Sequence, residues 1–251
     1  MTLVWKSGYS FDSDASTYID AVETTDGQVL ETGVRIAINE FVLGCKQDGI
    51  WTAIKESCIL AGARTLAGAL VPLTGNAPTN FNFVAADYDR EAGLVGNNNK
   101  YLETAVLLST IERANSHVSI NCKAFGNKRF LGNPNVSRFT WEEIGVVTTL
   151  RHLYGGGGGG QLATSISTPG LIGTVRTSLS VTYLARANGT NYNITAGVPG
   201  NGPAEPLWIF RTSSGYSTDS ISFYSIGESL DLALLDTRVS NLMTAIGAAI
   251  P

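Results

Sequence analysis

The sequence is poor in charge. Only 15% of its 251 residues are Asp, Glu, Lys or Arg, well below the roughly 25% usual in globular domains. That excludes a coiled-coil rod, a basic nucleic-acid binder and an acidic tail protein. Histidine occurs twice, as His117 and His152, and neither begins a His-Glu-x-x-His or similar ligand spacing. Zinc catalysis therefore has no support, and no metal or cofactor is expected. Cysteine occurs three times, an odd number at no metal-ligand spacing. Cys45 and Cys58 fall in helix-like patterns and Cys122 in a strand-like one, so all three are expected to be buried free thiols. No apolar run approaches the roughly 18 residues of a membrane span. No basic start followed by an apolar stretch marks a secretory leader, so folding in a reducing cytosol is expected. The Gly-x-Ser-x-Gly elbow and the Gly-x-x-x-x-Gly-Lys-Ser/Thr loop are missing as well. The Gly155–Gly160 tract has no Lys-Ser/Thr after it and reads as a floppy hairpin connection.

What is present is glycine (28 residues) and enough hydrophobic sequence, 43%, to build a core and exclude wholesale disorder. The charge is unevenly spread. Residues 1–70 hold 9 acids and 5 bases, so the whole net charge of −4 lies there, and residues 71–251 hold 12 of each. A neutral surface of Ser, Thr, Asn and Gly suits contact with other proteins or with sugars rather than with phosphate.

Three segments follow from periodicity: an N-terminal arm and helical unit over 1–63, a β-sandwich over 64–228, and a C-terminal helix over 229–251. The arm carries Trp5, Tyr9 and Phe11, aromatic residues that need a surface to dock on. Tyr18, Ile19 and Val22 predict a helix from Asp12 to Thr24, stopped at Asp26-Gly27. Leu30, Val34, Ile38, Phe41, Val42 and Cys45 predict a second. Ile50, Trp51, Ile54, Cys58 and Ala61 predict a third.

Beyond residue 64 helical spacing stops and short β-like runs alternate with Gly, Asn and Pro clusters. The runs are 66–73, 80–85, 101–110, 117–125, 139–150, 162–167, 171–187 (with Leu179, Val181 and Tyr183 alternating), 192–196, 207–212 and 220–226. They predict an α+β, mainly β chain with an antiparallel jelly-roll or lectin-like sandwich. Leu232, Leu235, Val239, Leu242 and Ile246 return to a spacing of three and four, flanked by Leu230, Leu234 and Met243. Ser229 is the expected N-cap and Gly247 the stop. Such a stripe fits either a helix lying on a sheet or a short oligomer seam.

Candidate chemistry is sparse. The pairs Asp12/Asp14, Asp87/Asp89 and Glu142/Glu143 could serve as hydrolase acids or cation ligands. Asp87-Tyr88-Asp89-Arg90 carries its own counter-charge, however, and reads as a buttressed loop, while Glu142 and Glu143 point to opposite faces of a strand. Asn135-Val-Ser137, Asn188-Gly-Thr190 and Asn193-Ile-Thr195 are chance sequons without a secretory route. Trp208, Phe210, Tyr216, Phe223 and Tyr224 could stack on sugars, although core filling accounts for most of them. No residue is assigned a catalytic, cofactor-binding or metal-binding role, and the chain is expected not to be an enzyme.

Two stretches are more distinctive. One is Ile59-Leu-Ala-Gly-Ala-Arg-Thr-Leu-Ala-Gly-Ala-Leu-Val-Pro-Leu-Thr-Gly75, continuing through Ala77–Val84 and Asp87–Gly96 to Lys100-Tyr-Leu102. The other is Phe223-Tyr-Ser-Ile-Gly-Glu-Ser-Leu-Asp-Leu-Ala-Leu-Leu-Asp-Thr-Arg-Val239 with the helix after it. Over roughly residues 13–110 and 170–250 the chain resembles a family of tailed-bacteriophage virion structural proteins, among them tail-fibre and capsid decoration proteins of aquatic-host phages. Where relatives carry an Asn-rich tract after the Lys-Tyr-Leu segment, this chain has Glu103-Thr-Ala-Val-Leu-Leu108. The resemblance implies a jelly-roll or lectin-like sandwich and a place on the virion, assembled in the bacterial cytoplasm. With no fibre shaft in the sequence, the leading expectation is a capsid decoration or cement protein that stabilises the head shell. It would form a homotrimer and contact the major capsid protein or other virion proteins, with no nucleic acid and no membrane. The alternatives are a tail-fibre or tail-tip adhesin that binds host glycan and, last, a depolymerase.

Overall fold

The computed structural model describes residues 10–134, 139–145, 147–153, 160–162 and 164–251. Trp5 and Tyr9 of the arm, the Asn135 sequon and Gly155 to Gly159 lie outside the described residues. Strands and helices are numbered along the chain.

The first two helices form where their amphipathic stripes predict them. In α1 (Ser13–Asp26) the Asp12 side chain accepts a hydrogen bond from the Asp14 N–H, and Gly27, at φ +64°, closes the helix in the left-handed region. Tyr18, Ile19 and Val22 are buried, as are Val34, Ile38, Phe41, Val42 and Cys45 of α2 (Thr32–Gln47). The expected third helix is instead a short 3-10 turn (Trp51–Ala53) and a strand, β1 (Ile54–Ile59). Its neighbours explain why. Cys58 and Leu60 pack into one core while Ile59 and Ala61 pack into another. A strand buried on both faces loses its period of two and can mimic helical spacing. The expected strand over 66–73 opens instead as the helical turn α3 (Leu66–Ala69), capped by Thr65. Asp26 holds that turn by accepting from the Arg64 and Thr65 N–H groups at 2.6 and 3.0 Å and from the Thr65 hydroxyl at 2.6 Å.

Among the described residues two antiparallel sheets face each other. The first runs β13 (Thr190–Thr195), β12 (Thr182–Ala187), β11 (Gly170–Arg176), β6 (Ser116–Ala124), β17 (Ser220–Gly227), β4 (Gly93–Val95) and β3 (Tyr88–Asp89), with β1 also paired to β17. The second runs β10 (Gln161–Leu162), β9 (Val147–His152), β8 (Phe139–Ile144), β7 (Arg129–Gly132), β14 (Pro206–Ile209), β5 (Tyr101–Leu107) and β2 (Thr79–Phe81). A small hairpin, β15 (Arg211–Thr212) and β16 (Gly215–Tyr216), stands apart from both. The mainly β, lectin-like sandwich expected from the sequence is therefore the architecture. Two of the expected runs are hairpins, broken at Gly145 (φ +62°) and after Arg176. Leu179 and Val181, expected in a strand, sit 49% and 42% exposed in the second break.

The last helix is α4 (Leu232–Ala249). Asp231, not Ser229, caps it, accepting from the Ala233 and Leu234 N–H groups. Ser229 instead donates from its hydroxyl and N–H to Asn115. Gly247 does not stop the helix, which runs two residues further. Leu232, Leu235, Val239, Leu242 and Ile246 are buried against α2 and β11. The packing is so close that a methyl group on Gly33 would lie 2.6 Å from Ala249 Cβ, and one on Gly173 would lie 2.8 Å from Leu232 Cδ2. Helices, first sheet and second sheet thus form three layers with two cores. One core lies between the sheets around Trp141, Phe130, Phe139 and Ile120, and the other between the first sheet and the helices around Phe41 and Phe223.

Candidate functional site

The polar candidates read from the sequence are committed to the fold. His117 is fully buried, with Nδ1 2.5 Å from the Glu228 carbonyl and Nε2 2.8 Å from Ser225 Oγ, and burial pushes its pKa down to about 4. His152 lies 2.9 Å from Ser116 Oγ and 2.7 Å from Thr174 Oγ1, held well below its ordinary value by burial and the nearby Arg176 charge. A serine–histidine contact of this length invites comparison with an activated nucleophile. Here, however, both groups are 0% exposed and the third partner is a threonine hydroxyl.

The carboxylates are spoken for as well. Lys46 bridges Asp12 and Asp14 at 2.6 and 2.8 Å, and that pairing lowers the Asp12 pKa. The counter-charge expected from Arg90 goes elsewhere: Arg90 clasps Glu31 with two bonds at 2.6 and 2.9 Å, and Asp87 pairs with Lys100 at 2.5 Å. Asp89 caps its own turn through the Glu91 and Ala92 N–H groups. Glu143 pairs with Lys128 at 2.5 Å, whereas Glu142 turns the other way and accepts from the Thr212 and Ser214 hydroxyls. Asn188 takes a left-handed conformation (φ +52°) and braces residues 165–168 with its side chain. No three His, Cys, Asp or Glu side chains converge as a metal site among the described residues.

One cluster is committed to nothing of this kind. On the outer face of the second sheet, Phe81 of β2 stacks on its cross-strand partner Tyr101 of β5, with centroids 4.4 Å apart and planes 4° from parallel. Tyr101 meets Trp208 of β14 edge-on at 5.4 Å and Tyr216 of β16 at 6.2 Å. The Arg211 guanidinium lies over all three rings, 3.8 Å from the Trp208 centroid, 4.7 Å from Tyr101 and 5.0 Å from Tyr216. Glu103, opposite Trp208 in register, accepts the indole N–H at 3.1 Å. Tyr101, Glu103, Arg211 and Tyr216 are half-buried. Burial raises the Tyr101 phenol pKa, against the pull of Arg211.

The chain reaches this geometry through a backbone reversal. In a regular strand Trp208 and Arg211, three apart, would point to opposite faces. Phe210 between them sits at φ +71°, a conformation costly for a bulky residue. The surrounding bonds impose it: its N–H donates to the Phe130 carbonyl at 2.8 Å, and its carbonyl accepts from Ser217 at 2.7 Å. Arg211 is thereby folded back over Trp208. Fully buried Asp219 locks the adjoining loops by accepting from Gly126, Lys128 and Arg129 N–H groups and from the Ser217 hydroxyl. Of the five aromatics singled out in the sequence, Phe210, Phe223 and Tyr224 are core residues, and Trp208 and Tyr216 belong to this cluster. Phe81, Tyr101 and Arg211 were not anticipated. The aromatic residues at both ends of the Phe81–Tyr101 segment were the only available signal.

No family model and no curated protein matches the chain. Among solved structures, the binding domain of botulinum neurotoxin DC in complex with SialylT is similar at TM-score 0.40 and 9% identity, over 61% of this chain and 41% of the toxin chain. Trypanosoma rangeli sialidase in complex with sialic acid is similar at TM-score 0.40 and 7% identity, over 76% of this chain and 33% of the sialidase. Domain 4 of AbnA, a GH43 extracellular arabinanase from Geobacillus stearothermophilus, in complex with arabinotriose, is similar at TM-score 0.35 and 10% identity, over 65% of this chain and 82% of that domain. The chain spans about two fifths of the toxin chain it matches, and likeness at these scores assigns it no family.

Proposed function

We propose that the chain is a non-catalytic glycan-binding module of a phage virion, an adhesin for host-surface sugar. The observation that carries this reading is the cluster in which half-buried Tyr101, Tyr216 and Arg211 surround Trp208, itself only 7% exposed beneath the guanidinium. A pyranose ring presents C–H groups on one face and hydroxyls around its rim. Aromatic faces accept the first, and Arg211, Glu103 and the Tyr hydroxyls hydrogen-bond the second. The neutral Ser/Thr/Asn surface agrees with a polar, uncharged partner, and the virion setting follows from the sequence resemblance.

The test is a glycan array probed with the whole chain and with Tyr101→Ala. Saturable binding that weakens in the variant is the expected result. If no sugar is retained and labelled protein decorates the head shell in electron micrographs, the adhesin reading falls and the capsid cement role replaces it.

A further inference from the structure

We propose that the aromatic face selects an acidic sugar, with the guanidinium groups of Arg211 and Arg129 as partners for its carboxylate; this rests on the glycan-binding reading above. Most cations of the described chain are neutralised where they stand. Lys46, Lys55, Arg64, Arg90, Lys100, Lys128, Arg186 and Arg238 each have a carboxylate within 3.0 Å. Among the described residues neither Arg211 nor Arg129 has one within the 4.0 Å of an ion pair.

The reason is visible in what the neighbouring acids do. Glu142 lies directly across the strand pair from Arg129, yet its carboxylate is taken by the Thr212 and Ser214 hydroxyls. Glu103 lies beside the Arg211 cluster and is taken by the Trp208 indole. Both acids are thereby held off the guanidinium groups. Arg129 Nε is buried without a partner. Its Nη1 lies where a side chain on Gly215 would come within 3.1 Å, and Gly215, at φ +148°, occupies a conformation that favours glycine. Stacking on Trp208 covers one face of the Arg211 guanidinium, and the Tyr101 hydroxyl engages part of its N–H edge, leaving the remaining N–H groups in its plane. That is the geometry that receives a carboxylate with two parallel bonds. A side chain already ordered by rings loses little freedom on binding. A neutral sugar would leave both cations unpaired in the complex, which disfavours it relative to an acidic one.

The experiment is calorimetric titration of the whole chain with oligogalacturonate and with the same oligosaccharide after reduction of its carboxyl groups to alcohols. The acidic form should bind about tenfold or more tightly than the reduced form, the value of a charge-assisted bond, and the gap should narrow as salt rises. Arg211→Gln should erase the gap, and Arg211→Lys, which keeps the charge but not the fork, should recover only part of it. Glucuronate and N-acetylneuraminate conjugates serve as further acidic probes. Equal binding of the two forms by the wild-type chain, or binding of neutral sugars alone, overturns the acid selectivity and leaves the glycan-binding reading standing. Failure of every acidic and neutral glycan overturns both. Because the wild-type comparison needs no variant, poor folding of an Arg211 substitution does not blunt it.

Discussion

The outer face of the first sheet lays Leu171, Val175 and Phe223 under helices, whereas that of the second presents Tyr101 and Glu103, joined by Arg211 and Tyr216 of the small β15–β16 hairpin packed against it, all half-exposed. Both faces belong to strands whose inner sides fill one shared core. The first face is apolar and gains stability by burial, roughly 25 cal/mol for each Å² removed from water. The second face keeps Tyr101 and Tyr216 partly wet over a buried Trp208 and holds them by stacking and by a cation, a less stable arrangement that leaves the two tyrosines able to meet a ligand. Substitutions on the covered face should therefore change melting but not binding, and substitutions on the open face should do the reverse.

The largest effect should come from the covered face. Leu242 is 2% exposed in the groove between α2 and α4. Leu242→Ala should cost about 2–5 kcal/mol, lowering the melting temperature while glycan affinity at 25 °C is unchanged. Because the residue is buried within its own chain, the shift should be independent of protein concentration. A concentration-dependent shift, with monomers appearing in sedimentation, would mean that α4 also serves an oligomer seam and that the face is not covered by intrachain packing alone.

Glu56, on the strand that belongs to both cores, gives the next largest effect. It is 4% exposed, accepts from the Ala105 N–H at 3.1 Å, and is pushed up to about 7 by burial. The folded chain therefore keeps a proton between about pH 4.5 and 7 that the unfolded chain has released. The stabilisation is complete below 4.5 and is lost as pH rises through 7, by up to about 3 kcal/mol. His117 acts in the opposite sense. Held neutral down to about 4, it costs stability as pH falls from 6.5. The melting temperature of Glu56→Gln minus that of wild type should thus grow between pH 5 and 8. A flat difference would show that Glu56 is charged in the folded protein.

At Tyr101, half-buried at the edge of the inter-sheet core, the effect is smaller and falls mainly on binding. Tyr101→Ala removes one stacked ring from a half-buried site, worth about 0.5–1.5 kcal/mol, or roughly three- to tenfold in affinity. The melting temperature should move by only a few degrees. A large loss of stability with intact binding would invert the division between the faces.

How much of this was legible depended on whether a residue's fate was decided locally. Helices α1 and α2 have one wet side, so their stripes and the stop at Asp26-Gly27 could be read directly. From Glu56 on, strand β1 has no wet side, because Cys58 and Ile59 face different cores, so its pattern imitated a helix. The turn at α3 depends on Asp26, 38 residues before Arg64. The candidate site was the least legible of all. Trp208 and Tyr216 were visible as aromatics, but Arg211 joins them only because tertiary bonds at Phe210 reverse the strand, and no local rule places a phenylalanine at φ +71°.

The cysteines offer the finest comparison, because they report on both cores without perturbing either. Cys45 lies in the helix-side core, and Cys58 and Cys122 lie between the sheets. All three are buried and free. Burial raises the Cys45 and Cys58 thiols to about 12 and raises Cys122 as well, so the reactive thiolate is scarce in the folded state. Reducing agent should leave the melting temperature unchanged. Alkylation by a maleimide in rising urea should label the three thiols in one concerted step, since β1 and β17 are shared walls of both cores and neither can open while the other holds. Labelling of Cys45 at lower urea than Cys58 and Cys122 would show that the helical layer peels away first. The covered face would then be a separable layer on a sandwich that folds without it, and the division between the two faces would mark a boundary in stability as well as in use.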